Sequence, residues 1–255
     1  MNYLVTGHRG FIGTNLVKYL RSKGVGVTGL DYSDCDLCDG FPTILLDLKF
    51  DVIVHLAAET NVRESIESPV KTFLRNCQST LNILELSKRL RSKLVFISSC
   101  GAPYSSSPYA ASKMAGESLC KAYRESYEMG IVILRLPNIY GPYSDHKSSV
   151  IPNFIKSKLI NSPTTIYGDG SQTRNFVHVK DICRAIFEST HDMELTTGEL
   201  TSINELAEMI GCDVRYNSPI KGEVNKVTSI KNLIPQYSLS QGLNETILWF
   251  KKLIK

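Results

Sequence analysis

Tyr109 and Lys113 stand four residues apart in Ser107-Pro108-Tyr109-Ala110-Ala111-Ser112-Lys113. Ser107 followed by Pro108 reads as a helix start, and at this spacing the phenol and the amine share one helical face. An ammonium beside a phenol favours the phenolate, so the spacing predicts a tyrosine pKa below the ordinary value of about 10. Such a tyrosine can take a proton from a hydroxyl while a hydride leaves the same carbon. Taken alone the pair is weak, because chance pairs of this kind are common on amphipathic helices. Ser98-Ser99-Cys100 closes an apolar run just ahead of that helix, where a hydroxyl can hold a substrate against the phenol; its plain reading is a polar strand-to-loop transition.

Hydride chemistry needs a dinucleotide site, and the start of the chain has the pattern of one. Tyr3 to Thr6 is an apolar strand, Gly7-His8-Arg9-Gly10-Phe11-Ile12-Gly13 a glycine-rich turn, and Thr14 to Leu20 a helix. The glycines permit a tight turn and close backbone approach. The amides around Phe11 and Ile12 offer a helix N-terminus to a pyrophosphate. The spacing is G-x-x-G-x-x-G, one residue longer in its first interval than the general fingerprint. A second strand from Val25 to Leu30 ends at Asp31, whose carboxylate can accept from ribose hydroxyls and repels a 2′-phosphate. Arg9 pulls the other way, since its guanidinium can pair with such a phosphate. NAD is the expected cofactor, with NADP the alternative.

Asp36-Leu37 reads as a short third strand end and Phe41 to Phe50 as a short helix. Asp51 to Ala58 is a nearly continuous apolar run, the pattern of a buried parallel strand, with His55 packed inside it. Leu56, Ala57 and Ala58 at its end let a cofactor approach. Val70, Phe73, Leu74, Cys77, Leu81 and Leu84 recur as a helical stripe. Lys93 to Ile97 and Ile131 to Leu136 are further strands. This alternation predicts an α/β fold: a Rossmann-like, doubly wound parallel sheet with ligands at the carboxyl ends of the strands. Residues 1–142 form the expected dinucleotide-binding domain and 143–255 a small C-terminal α/β substrate lobe, the chain recrossing around 174–190. In the lobe, Ser202-Ile203-Asn204-Glu205 is a capping box and Gly211 a stop.

Hydrophobic residues make up 42% of the 255 residues and charged ones 21%, with a net charge of +4. No dense basic run or basic-aromatic stripe points to nucleic acid. The seven dispersed cysteines suggest a reducing compartment rather than a disulfide framework, and the lone Cys35-Asp36-Leu37-Cys38 predicts no metal site. Neither a signal peptide nor a run of membrane-spanning length is apparent, so a cytoplasmic protein without membrane contact is expected.

In order, TGHRGFIG, VIVHLAA, NCQSTLNILE, FISSC, SPYAASKMAGE, RLPNIYGP and GDGSQTRNFVHVKDI resemble the extended short-chain dehydrogenase/reductases that act on nucleotide sugars. The resemblance spans residue 3 to about residue 187, and more loosely SINELAEMI and GLNETILWF. It implies that Gly7, Gly10 and Gly13 hold the pyrophosphate, Asp31 the ribose, and Asp36 with Leu37 the adenine. Tyr109 is then the base, Lys113 the ligand of the nicotinamide ribose, and Ser99 the hydroxyl holder, with Ser98 as fallback. On the substrate side stand Ser98, Cys100, Asn138, Ser149, Arg174 and Lys221, the last where many members carry arginine. Helices near 70–90 and 108–128 imply a homodimer.

The chain departs from the family pattern in three ways. Only nine residues separate Ser99 from Tyr109, and the usual V-Y-G loop is missing or reduced to Gly101-Ala102-Pro103-Tyr104. No acidic residue lies in that interval, which disfavours water elimination. The short passage from Asp31 to Asp51 and the SSC run resemble the 4-keto-sugar reductases, yet Ser149 stands where those that also epimerise carry histidine. The expected activity is an NAD-dependent nucleotide-sugar 4-epimerase working through a 4-keto sugar. The alternatives are an NAD(P)H-dependent 4-keto-sugar reductase and a non-catalytic nucleotide-sugar sensor.

Overall fold

The computed structural model describes residues 1–219 and 230–253. From the N-terminus run β1 (Asn2–Thr6), α1 (Phe11–Ser22), β2 (Gly26–Leu30), β3 (Val52–His55), α2 (Val62–Glu67), α3 (Pro69–Leu90), β4 (Lys93–Ser99), α4 (Pro108–Tyr127) and β5 (Ile131–Leu136). There follow β6 (Asn138–Tyr140), α5 (Val150–Leu159), β7 (Thr164–Tyr167), β8 (Thr173–Arg174), β9 (Phe176–His178), α6 (Val179–Glu188) and β10 (Met193–Glu194). The described chain closes with β11 (Thr201–Ser202), α7 (Ile203–Ile210), β12 (Val214–Asn217) and α8 (Leu239–Leu253). One compact unit comprises Met1–Leu136 and Cys183–Glu194, and a second comprises Pro137–Ile182 and Leu195–Lys255.

The first unit is built on a six-stranded sheet of order β10-β5-β4-β3-β1-β2 in which every pair is parallel. VIVH, KLVFISS and IVILRL supply the inner strands, their apolar residues buried on both faces as helix-covered parallel strands require. Leu4, Ile53, Leu84, Leu94 and Phe96 form the centre of its core. The chain steps from β1 to β2 on one side, then returns to β3 on the other. That reversal opens a crevice at the carboxyl ends of β1 and β3, the usual position of a ligand in open α/β sheets.

Between Asp31 and Asp51 neither the expected third strand end nor the expected α-helix forms. Pro42 and the β-branched Thr43 and Ile44 disfavour an α-helix, and only a 3₁₀ turn appears at Thr43–Asp47. Leu37 sinks into the core instead. Helix α3 forms as expected, but the apolar stripe of its first half faces outward. Val70, Phe73 and Leu74 are 69%, 39% and 60% exposed, while Thr72, Asn76, Ser79 and Thr80 are buried.

The second unit has its own core, with Tyr140, Ile151, Phe154, Ile155, Leu206, Ile210 and Phe250 at its centre. Its strands pair two by two, β6 with β9, β8 with β11 and β7 with β12. Ser202 and Glu205 close a reciprocal capping box on α7, and Gly211 ends the helix at φ +72.

Candidate active site

The corner after β1 is fixed by glycine geometry. Gly7 turns the chain at φ +67, and a Cβ there would lie 2.9 Å from the Ala57 amide nitrogen, so only glycine lets the loop rest on the segment after β3. A Cβ on Gly13 would collide with the Gly7 carbonyl oxygen. A Cβ on Gly10 would press on that same oxygen at 3.2 Å, with no other heavy atom near it. Helix α1 then starts with no side-chain cap and no acidic residue in its first turn. The amides of Phe11, Ile12 and Gly13 find no acceptor among the described residues. Bare N–H groups at an uncapped helix start suit an anion.

Asp31 lies at the end of β2, and its carboxylate accepts hydrogen bonds from the amides of Arg9 and Tyr32, both at 2.9 Å. The Arg9 guanidinium reaches Asp34 at 3.0 Å and also donates to Ser33. Asp36 is engaged on all sides: the Cys38 amide and both terminal nitrogens of Arg75 donate to it. The Cys38 amide, with the Arg75 guanidinium, holds the Asp36 carboxyl below its usual range even against the opposing effect of burial. Beyond β3, Leu56, Ala57 and Ala58 run half-buried, and the Ala57 amide donates to the Thr6 hydroxyl at 3.2 Å. His55 is packed between two hydroxyls, Nδ1 at 2.8 Å from Thr6 Oγ1 and Nε2 at 3.3 Å from Thr80 Oγ1. Burial, helped by the nearby Lys113, pushes its pKa down to about 3.

Ser99 ends β4 and Tyr109 opens α4, whose start is capped by Ser107 Oγ accepting from the Ala110 amide. Ser99 Oγ accepts from the Gly101 amide at 3.1 Å, and the Ser99 hydroxyl favours the ionised form of the Tyr109 phenol. Lys113, almost fully buried, donates to the Ile97 carbonyl at 2.8 Å and lies 5.2 Å from the centre of the Phe96 ring. The proton balance differs from the sequence expectation. Burial pushes the Tyr109 phenol up to about 12, against a smaller opposing effect of the Ser99 hydroxyl, and brings Lys113 down to about 8. The amine is turned to a backbone carbonyl and desolvated with its neighbour, so it does not acidify the phenol.

Ser98 cannot serve as the fallback hydroxyl. Successive strand residues point to opposite faces, and Ser98 Oγ donates at 2.6 Å to Glu117, a fully buried carboxylate. Glu117 also receives Arg135 on both oxygens, at 2.8 and 2.7 Å, and Arg135 reaches on to Glu194 at 3.0 Å. Burial alone would raise the Glu117 carboxyl; the hydrogen bonds from Arg135 and Ser98 reverse that and leave it lowered. Cys100 packs its thiol on the Arg135 carbonyl, and burial pushes it up to about 12.

Sequence reasoning missed Asn76. Its side chain clasps the Glu59 backbone through N–H and C=O, at 2.8 and 3.0 Å, and donates to Ser112 Oγ at 2.9 Å. It thereby ties the segment after β3 to the helix that carries Tyr109 and Lys113. The available signal was a run of Thr72, Asn76, Ser79 and Thr80 at helical spacing, a polar row opposite the apolar one.

Of the remaining positions, Asn138 is exposed at the start of β6 and Ser149 exposed at the N-terminus of α5. Arg174, half-exposed in β8, donates to the Thr173 carbonyl at 2.9 Å. Lys221 lies outside the described residues. Among the described residues no cluster of His, Cys, Asp or Glu could hold a metal ion, and no helix is long and apolar enough to cross a membrane.

The model of the family described as NAD dependent epimerase/dehydratase matches residues 3–203. The chain belongs to the NAD dependent epimerase/dehydratase family. Within that family it is 29% identical to the UDP-glucose 4-epimerase of Mycolicibacterium smegmatis, covering 98% of this chain and 99% of the relative. It is 29% identical to the dTDP-glucose 4,6-dehydratase of Streptomyces niveus, over 98% of this chain and 93% of the relative. The two alignments run over 309 and 319 positions, more than the 255 residues present here, so each relative carries internal stretches that this chain lacks. The crystal structure of the Thermus thermophilus UDP-glucose 4-epimerase complex with NAD superposes with a TM-score of 0.90 at 27% identity, covering 98% of this chain and 99% of that one. As an epimerase/dehydratase family member the chain is an NAD-dependent enzyme, and the glycine turn before uncapped amides that are unpaired among the described residues fits a dinucleotide pyrophosphate.

Proposed function

We propose that this enzyme interconverts the 4-epimers of a nucleotide-diphosphate sugar through a transient 4-keto sugar. The observation that carries the reading is the placement of Ser99 at the carboxyl end of β4 and of Tyr109 at the start of α4, with Lys113 one helical turn further on and bonded to the Ile97 carbonyl of β4. When bound, NAD supplies a hydride acceptor and, oxidised, a positively charged ring. The amides of Phe11, Ile12 and Gly13, with Gly7 and Gly10, cradle its pyrophosphate, and Asp31 accepts from the adenosine ribose. Leu56, Ala57 and Ala58 leave room for it, and Leu37 with Asp36 borders the adenine. Lys113 spends one of its three N–H donors on Ile97 and turns the others to the nicotinamide ribose.

Tyr109 Oη takes the proton of the sugar 4-hydroxyl as the hydride departs from C4. After the keto sugar has turned over, it returns a proton to the same oxygen as a hydride is restored to the opposite face of C4. Ser99 Oγ holds that oxygen against the phenol throughout. On the substrate side Cys100 borders the sugar; in the second unit Arg174 suits a diphosphate, a planar guanidinium being fitted to bidentate phosphate contact. The names of the UDP-glucose relatives support a uridine nucleotide. Water elimination is disfavoured because no carboxyl lies between Ser99 and Tyr109, and Glu117, just beyond, is held by Arg135.

The outward apolar row Val70, Phe73 and Leu74 supports a homodimer through α3 and α4; a monomeric mass by light scattering would refute it. For the reaction, the protein is incubated with a panel of UDP-sugars. The expected result is a C4 epimer with no net change in nicotinamide absorbance. Stoichiometric oxidation of NAD(P)H by a keto sugar, with no epimer formed, would establish the reductase instead.

A further inference from the structure

At the outer edge of the glycine corner, Arg9 faces two carboxylates. Its backbone amide donates to Asp31 Oδ2 at 2.9 Å, and its guanidinium meets Asp34 Oδ1 at 3.0 Å. Asp34 is itself held, because its other oxygen accepts from the Asp31 amide at 2.9 Å. The side chains of Arg9 and Asp34 are 56% and 35% exposed, so the pair lies where a ligand bound outside β2 would meet it. The His8 ring packs on Gly29 of β2, its Nδ1 3.9 Å from Asp31.

We propose that Asp34 is the residue that makes this enzyme selective for NAD over NADP, by holding the Arg9 guanidinium in an ion pair. The inference rests on the placement of the adenosine ribose at Asp31. An arginine in a glycine loop is the natural partner of a ribose 2′-phosphate, because its planar fork pairs bidentately with phosphate oxygens. Here that fork already donates to Asp34 and Ser33. An incoming 2′-phosphate must break the pair and then stand beside two carboxylates with one cation between them. The 2′-hydroxyl of NAD demands neither, and it can donate to Asp31. Asp31 therefore reads the hydroxyl, and Asp34 keeps the adjacent arginine from reading a phosphate.

The test is equilibrium binding of NAD⁺ and NADP⁺ by titration calorimetry to wild-type protein and to Asp34→Asn, Arg9→Gln and the double variant. Asparagine keeps an oxygen for the Asp31 amide and removes the charge that holds Arg9. Asp34→Ser serves as a second variant should the first fold poorly, as judged by thermal melting. The expected result is a rise in the NADP⁺-to-NAD⁺ affinity ratio on the order of tenfold in Asp34→Asn, the scale of one charge-assisted hydrogen bond. The double variant should lose that rise, and added salt should diminish it. An unchanged ratio in both Asp34 variants, or an equal rise in the double variant, overturns the proposal. An Asp31→Asn protein that binds NAD⁺ as tightly as wild type would overturn the placement of the ribose, a failure separate from that of Asp34.

Discussion

The glycine corner and the tyrosine corner both lie at carboxyl ends of strands in one sheet, but they are made from different material. At Gly7, Gly10 and Gly13 the working groups are backbone amides, set by dihedral angles and by the absence of Cβ atoms. At Ser99, Tyr109 and Lys113 they are side chains, packed deep and braced by Asn76 from one helix and Glu117 from another. The first corner needs nothing but its fold to receive an anion. In the second, burial has moved phenol and amine toward their neutral forms, about 12 and about 8, so the protein alone stores few phenolates beside ammonium ions. Binding is thus built into the backbone, while reactivity waits on charge that the cofactor brings.

Removing the phenol should break the comparison most sharply. Tyr109→Phe is expected to lower kcat by about 10²–10⁴-fold, the range for a positioned acid–base group, while NAD⁺ affinity by calorimetry stays within threefold. A comparable loss of cofactor binding would mean that the corners are not separable. Next in size is the brace. Glu117→Gln leaves Arg135 with only Glu194, and breaking a buried ion pair costs about 3 kcal/mol. For a chain of this size that amounts to a fall in Tm of roughly 6–12 °C by calorimetry.

A smaller effect concerns protons. With Lys113 at about 8 and Tyr109 at about 12, the phenolate–ammonium form grows with pH only up to about 8. Above that, each gain in phenolate is offset by a loss of ammonium. The profile of kcat/KM should therefore rise about tenfold per pH unit and then level near pH 8. In Lys113→Arg, whose guanidinium keeps its proton, the rise should continue past that point at a lower absolute rate. A break left at the same pH would mean that another group sets it.

The same division explains what the sequence made legible. The glycine spacing, the apolar runs of β3, β4 and β5 and the Tyr109–Lys113 interval are local patterns, and each stands for a local piece of geometry. The parallel sheet follows from them. Residues 31–51 depart from their local pattern, because Pro42 and the β-branched Thr43 and Ile44 disfavour the expected helix and leave a 3₁₀ turn. Ser98 and Ser99 look alike in sequence, and only the strand sends them to opposite faces. Asn76 and Glu117 went unnoticed because their partners lie far along the chain, at Ser112 and Arg135. The acidification of Tyr109 failed for a related reason: helical spacing places Lys113 on the right face but says nothing of the carbonyl to which it turns.

The polar row on the inner side of α3 bears on how this protein can be altered. A stabilisation campaign that ranks edits by hydrophobic gain would nominate Asn76 early, as a buried amide to exchange for leucine. That exchange would release both the Glu59 backbone and Ser112, so a variant that melts at a higher temperature could come from the screen with its reacting centre out of alignment.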